Sequence, residues 1–194
     1  MTENVRGVFS TMGASNHSAD DRASHDYYAT DPKAVDWLLS VEELAPVIWE
    51  PACGEGHISK RLEEYGKKVI STDIVYRGYG CPEGIDFLQT DIKDFEGDIV
   101  TNPPYRQGLE FVEKALDIVH GGGTVAMFLR LLFLEGKKRK EFFMENPPRR
   151  VYVFSSRIAC AKNGNFDENK NAVCFAWFVW TKGYKGDTVV KWIG

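Results

Sequence analysis

The sequence has little of what usually makes a function easy to read. It holds only four cysteines, Cys53, Cys81, Cys160 and Cys174, and no two of them form a C-x-x-C pair. Neither a zinc site nor a disulfide framework is therefore expected. It has no window of eighteen uninterrupted apolar residues, so no transmembrane helix is expected. The opening residues, Met1-Thr2-Glu3-Asn4-Val5-Arg6, lack the apolar stretch of a secretion signal. Together these absences point to the reducing cytoplasm. An excess of one charge is missing too. The formal net charge of −4 argues against indiscriminate nucleic-acid binding, while leaving room for a local basic face.

What is present is an alternation of strands and helices. Residues 1–26 read as a polar arm without periodicity, and residues 27–194 as a single α/β catalytic domain. Asp31-Pro32 can open a helix whose apolar face is Ala34, Val35, Trp37, Leu38 and Leu39. Strands are expected at Val47–Trp49, Lys68–Asp73, Phe87–Asp91, Asp98–Thr101, Thr124–Leu132, Val151–Phe154 and Val173–Thr181. Helices are expected from His57 to Tyr65, along the stripe Leu109, Phe111, Val112, Ala115, Leu116 and Val119, and after Lys137-Lys138-Arg139-Lys140. Such alternation predicts a mainly parallel sheet covered on both faces.

The most informative stretch is Asn102-Pro103-Pro104-Tyr105, directly after the apolar run Asp98-Ile99-Val100-Thr101. Each proline fixes its own φ, lacks an N–H and extends the residue before it. The loop is therefore stiff, short of donors and rich in carbonyls. The Asn102 side-chain oxygen and the Pro103 backbone oxygen can take both hydrogens of a planar amine and return its lone pair to nitrogen. Tyr105 adds a face for stacking and for a nearby cation. A proline-stiffened surface turn is the plainer alternative.

Ligands of open α/β sheets sit at the carboxyl ends of the strands. Gly54 and Gly56 occupy the first such loop, where lack of a Cβ lets a ligand approach. Asp73 ends the next strand, where a carboxylate accepts ribose hydroxyls. Asp91 ends the third expected strand and can accept from an adenine amino group, with Ile74 and Ile92 as apolar walls.

Glu50-x-x-x-Gly54-x-Gly56, Asp73, Asp91 and Asn102-Pro103-Pro104-Tyr105 resemble, in order, the motifs of class I S-adenosylmethionine-dependent methyltransferases that modify exocyclic amino groups. The likeness extends to small phage-type DNA adenine methyltransferases through Tyr28-Ala29-Thr30-Asp31-Pro32 and through Ala161–Trp180. It implies a Rossmann-like, mostly parallel seven-stranded sheet with helices on both faces. It implies S-adenosylmethionine as cofactor, with Tyr28 and Thr30 at its carboxylate end and Glu50, Gly54 and Gly56 near its methionine part. Asp73 would hold the ribose and Asp91 the adenine, with Ile74 and Ile92 as apolar walls, and Asn102 would face both cofactor and amine. Asn102, Pro103, Pro104 and Tyr105 are the implied catalytic set, acting by direct in-line displacement. No metal and no covalent nucleophile is implied, and Cys53 reads as a packed small residue.

The implied substrate is adenine in double-stranded DNA, flipped out of the helix and held by Asn165, Phe166 and Tyr105. Lys137, Lys138 and Arg139, with Arg149-Arg150, can contact phosphates or simply form a solvated helix end. The same chemistry on RNA or on a protein glutamine amide remains open, as does a catalytically silent nucleic-acid-binding module. A separate recognition domain has no room in the chain. A monomer and a homodimer are equally compatible with it.

Overall fold

A computed structural model describes residues 28–156, 158, 160–162 and 173–194. The polar arm 1–26 and the substrate candidates Asn165 and Phe166 lie outside the described residues. In chain order the elements are β1 (Tyr28–Thr30), α1 (Lys33–Val41), β2 (Val47–Glu50), α2 (His57–Glu64) and β3 (Lys68–Ser71). Then come β4 (Asp98–Thr101), α3 (Gly108–Ile118), β5 (Thr124–Arg130), α4 (Lys137–Glu145) and β6 (Arg150–Phe154). β7 (Cys160–Lys162), β8 (Phe175–Thr181) and β9 (Val189–Ile193) complete the series. Seven strands form one sheet in the order β3-β2-β4-β5-β8-β6-β9, and β1 pairs with β7 in a separate ribbon. Only β8 runs against the others, between β5 and β6.

Two-residue periodicity explains how the sheet is covered on both faces. Ile48, Val100, Ala126, Phe128, Trp177 and Val179 point to one side and bury against Ala34, Val35 and Leu38 of α1 and Ile58 and Leu62 of α2. Their neighbours Trp49, Ile99, Val125, Met127, Phe178 and Trp180 point to the other and meet Phe111, Val112, Ala115 and Ile118 of α3 and Phe142 of α4. Both buried indoles find acceptors: Trp177 Nε1 donates to Ala34 O at 2.7 Å and Trp180 Nε1 to Asn146 O at 3.0 Å. Pro32 has helical angles (φ −52°, ψ −28°), and Asp31 Oδ1 accepts from Lys33 N at 2.9 Å, capping α1 as its sequence suggests. Among the described residues no helix is long and apolar enough to cross a membrane.

Three expectations need correction. Phe87–Asp91 is not a strand. Asp86 Oδ1 accepts from Leu88 N at 3.0 Å and caps a 3-10 turn, Phe87–Gln89. That turn drives Phe87 under Trp49 and Phe111, with ring centroids 5.2 Å and 5.0 Å away. The seventh strand is instead β9, and the expected fifth strand stops at Arg130, followed by a 3-10 turn, Leu131–Leu134. Arg149, read as either a phosphate contact or part of a solvated helix end, is half-buried and ties two layers together. Its Nη2 pairs with the buried Glu42, its Nε donates to Thr181 Oγ1 at 3.1 Å, and Tyr152 OH donates to the other Glu42 oxygen at 2.6 Å. Burial and that carboxylate push the Tyr152 hydroxyl up to about 12.

Replacing Glu42 with Ala strands both a guanidinium and a phenol. The substitution is expected to cost about 3 kcal/mol in urea unfolding; a loss below about 0.5 kcal/mol would mean that this tie contributes little.

Candidate functional site

The loop leaving β2 turns sharply. Gly54 and Gly56 have φ of +54° and +80°, and a Cβ on Gly56 would lie 2.2 Å from the Tyr79 ring. Gly54 N donates to Asp73 Oδ2 at 2.8 Å, which fastens this loop to the end of β3. Neither glycine lines the cleft that opens here; their neighbours Cys53 and His57 do. Glu50, at the end of β2, is 1% exposed and accepts from the Ser59 hydroxyl, which in turn lies 2.7 Å from Ser71 Oγ. Burial pushes the Glu50 carboxyl up to about 8, and the nearby Asp73 adds to the shift. Burial likewise pushes the Cys53 thiol up to about 12, so it is a packed thiol and a poor nucleophile at neutral pH.

The cleft encloses about 460 Å³ at the carboxyl ends of β2 and β4. Asp73, with Ile74, lines one wall. Its Oδ1 accepts from Val75 N at 2.9 Å and Arg77 Nη1 at 3.2 Å. Two carboxylate oxygens offer about four acceptor positions, so one remains beyond the three used. Ile85, Asp86 and Phe87 form the adjoining wall. Asp91 and Ile92, expected there, are exposed and do not line the cleft. Because the 3-10 turn replaces a strand, the acid before the apolar pair reaches the cleft and the acid after it does not. Asp86 and Arg77 were both missed. An acid two residues before a backbone N–H is a capping signal, and it was available at Asp86.

The opposite wall is the Asn-Pro-Pro-Tyr loop with β1. Asn102 Nδ2 donates to Tyr28 O at 3.0 Å and to Thr30 Oγ1 at 2.9 Å. The donor end of the carboxamide is thus committed to β1, and its acceptor end is Oδ1. Pro104 O accepts from Gln107 N at 2.9 Å and closes the following turn; Pro103 is buried and its carbonyl plays no part in that bond. The Tyr105 ring lies 5.0 Å from Tyr28 and 5.8 Å from Phe175, and the guanidinium of Arg130 stands 4.2 Å from its centroid. Arg130 was also missed, since nothing in a seven-residue strand marks its last residue as facing a ring that precedes the intervening helix α3.

The remaining basic candidates separate. Lys137 and Lys138 are exposed at the start of α4, where the helix dipole disfavours cations. Arg139 is engaged within the fold, donating to Glu135 O and stacking 5.2 Å over Phe133. These contacts tie Arg139 to the turn after β5. Among the described residues no cluster of His, Cys, Asp and Glu could hold a metal ion.

No protein-family model and no curated protein matches the sequence. Solved structures match the fold. A protein from Vibrio vulnificus YJ016, assigned as the modification subunit of a type I restriction enzyme, aligns with a TM-score of 0.62 at 12% identity, over 89% of this chain and 48% of its own. A protein from Listeria monocytogenes assigned as a class I S-adenosylmethionine-dependent methyltransferase gives 0.54 at 12% identity, over 83% and 62%. A predicted O-methyltransferase from Agrobacterium tumefaciens gives 0.51 at 12% identity, over 84% and 85%. The chain spans about half the length of the Vibrio protein. At these identities the likeness is one of fold. The chain has the Rossmann-like fold of the class I methyltransferases, a mostly parallel seven-stranded sheet between helices.

The Glu50 shift sets a pH dependence. The folded protein keeps a proton that the unfolded chain releases above its ordinary value of 4.5, so stability falls as pH rises between 4.5 and about 8. The slope is at most about 1.4 kcal/mol per pH unit. Denaturation of the ligand-free protein should show this decline, and Glu50→Gln should flatten it; superimposable profiles would remove Glu50 as the cause.

Proposed function

We propose that the cleft binds S-adenosylmethionine and that the protein transfers its methyl group to the exocyclic 6-amino group of adenine in DNA. The observation carrying this reading is the orientation of Asn102. With both amide hydrogens given to β1, its carbonyl oxygen is the group available to an incoming N–H. An aromatic amine is a poor nucleophile because its lone pair is delocalised. Accepting its two hydrogens at Asn102 Oδ1 and Pro103 O draws the nitrogen towards a pyramidal shape and restores the lone pair. Tyr105 stacks on the purine, and the Arg130 guanidinium on the same ring fixes its plane.

The residues opposite suit the cofactor. A cleft of about 460 Å³ lies within the range for such ligands. Asp73 has acceptor capacity for a ribose hydroxyl, Asp86 for an adenine amino group, and Ile74, Ile85 and Phe87 offer apolar walls. Tyr28 and Thr30 bound the end assigned to the methionine carboxylate, and Glu50 lies buried beneath that end. Gly54 and Gly56 act through the turn they permit. When bound, the cofactor supplies a methyl group on a positively charged sulfur. The chain's part is to hold the amine in line with it and to exclude water.

DNA is favoured by the exposed cations Arg106 and Arg130 beside Tyr105, with Lys137 and Lys138 exposed at the start of α4. The Vibrio protein of similar fold is named as a modification subunit of a type I restriction enzyme. Asn165 and Phe166 remain assigned to the target base by resemblance alone.

Asn102→Ala should lower methyl transfer to adenine by about a hundredfold or more, while calorimetry still detects S-adenosylhomocysteine binding. Transfer within about threefold of the original rate would contradict the role given to the carboxamide.

A further inference from the structure

The turn Leu131–Leu134 presents two leucines to solvent, with Leu132 65% exposed and Leu134 44% exposed. The turn is firmly held. Leu131 N donates to Cys174 O at 2.8 Å and Glu135 N to Leu132 O at 3.0 Å. Phe133 between the two leucines is buried, edge-on to Phe178 at 5.5 Å and Phe143 at 5.8 Å, under the Arg139 guanidinium. Single exposed leucines are ordinary. Two on one anchored turn leave apolar surface in water, and the anchor prevents them from folding inward.

The turn borders the candidate cleft. Arg130, two residues before Leu132, touches the Tyr105 ring. Phe133 packs against Gly108, where a Cβ would stand 3.5 Å from its ring, and Gly108 is three residues beyond Tyr105. Arg130 and Phe133 flank Leu132 in the chain, so the turn that carries Leu132 lies next to the Tyr105–Gly108 segment. Arg106 lines the cleft and Arg130 contacts Tyr105, and both are exposed. An apolar tip close to exposed cations complements a stacked base step between two phosphate chains.

We propose that Leu132 is a wedge that enters the base stack of duplex DNA beside the target adenine, filling the space left when that base turns into the cleft. The wedge rests on the adenine reading above. Turning out a paired base costs its stacking and pairing, and an inserted apolar side chain offsets part of that cost by replacing the lost stacking. A single strand has no such cost. Leu132 therefore matters for duplex and much less for isolated strands.

The test uses the full chain, a duplex oligonucleotide containing adenine in every dinucleotide context, and its separated strands. Initial rates of methyl transfer are compared as the duplex-to-single-strand ratio. Leu132→Ala should lower the ratio about tenfold or more, and Leu132→Met should restore most of it. A ratio within about twofold of the original overturns the wedge and leaves the adenine reading in place. Methylation of single strands but not of duplex by the unmodified protein does the same. Methylation of neither contradicts the adenine reading itself, and the wedge falls with it.

Discussion

The Asn102 carboxamide spends both of its hydrogens on β1, at 3.0 Å to the Tyr28 carbonyl and 2.9 Å to the Thr30 hydroxyl, and the site depends on that constraint. Reversing the amide would set its oxygen against the Tyr28 carbonyl, so the orientation is fixed by electrostatics as well as by geometry. The same two bonds hold the short ribbon of β1 and β7 across the end of the central strand β4. The ribbon in turn brings Tyr28 onto Tyr105, and Phe175 of β8 supports the other side of that ring. Pro103 and Pro104 stiffen the link between strand and ring, which limits how far the acceptor and the stacking face can drift apart.

Around this fixed point the cleft is electrically divided. Asp73 and Asp86 line the walls from β3 and the 3-10 turn, while Arg106 and Arg130 lie towards β5. Arg77 is the exception on the acidic side, and it is held by Asp73 at 3.2 Å. A cationic group bound on one side and a polyanion approaching from the other would each meet complementary charge.

Much of the architecture was legible in the sequence because it rests on local rules. The strands β2, β4 and β5 are short, continuously apolar and bounded by turn residues, and α1 announces itself through Asp31-Pro32. What was illegible has physical causes. Phe87-Leu88 satisfies a strand pattern and a capped turn equally well, and a single hydrogen bond from Leu88 N to Asp86 decides between them. That choice moves the cleft acid from Asp91 to Asp86. β9 has four exposed residues and no apolar alternation, so only its pairing with β6 reveals it. The contact of Arg130 with Tyr105, and the loss of Arg139 and Arg149 to structural work, depend on tertiary packing that no sequence window contains.

The most direct test of the account is to incubate the protein with methyl-labelled S-adenosylmethionine and unmethylated duplex DNA, digest the DNA to nucleosides and locate the label. The account predicts label on the 6-amino group of adenine. Label on cytosine, or none in DNA from a protein shown separately to bind the cofactor, would contradict it.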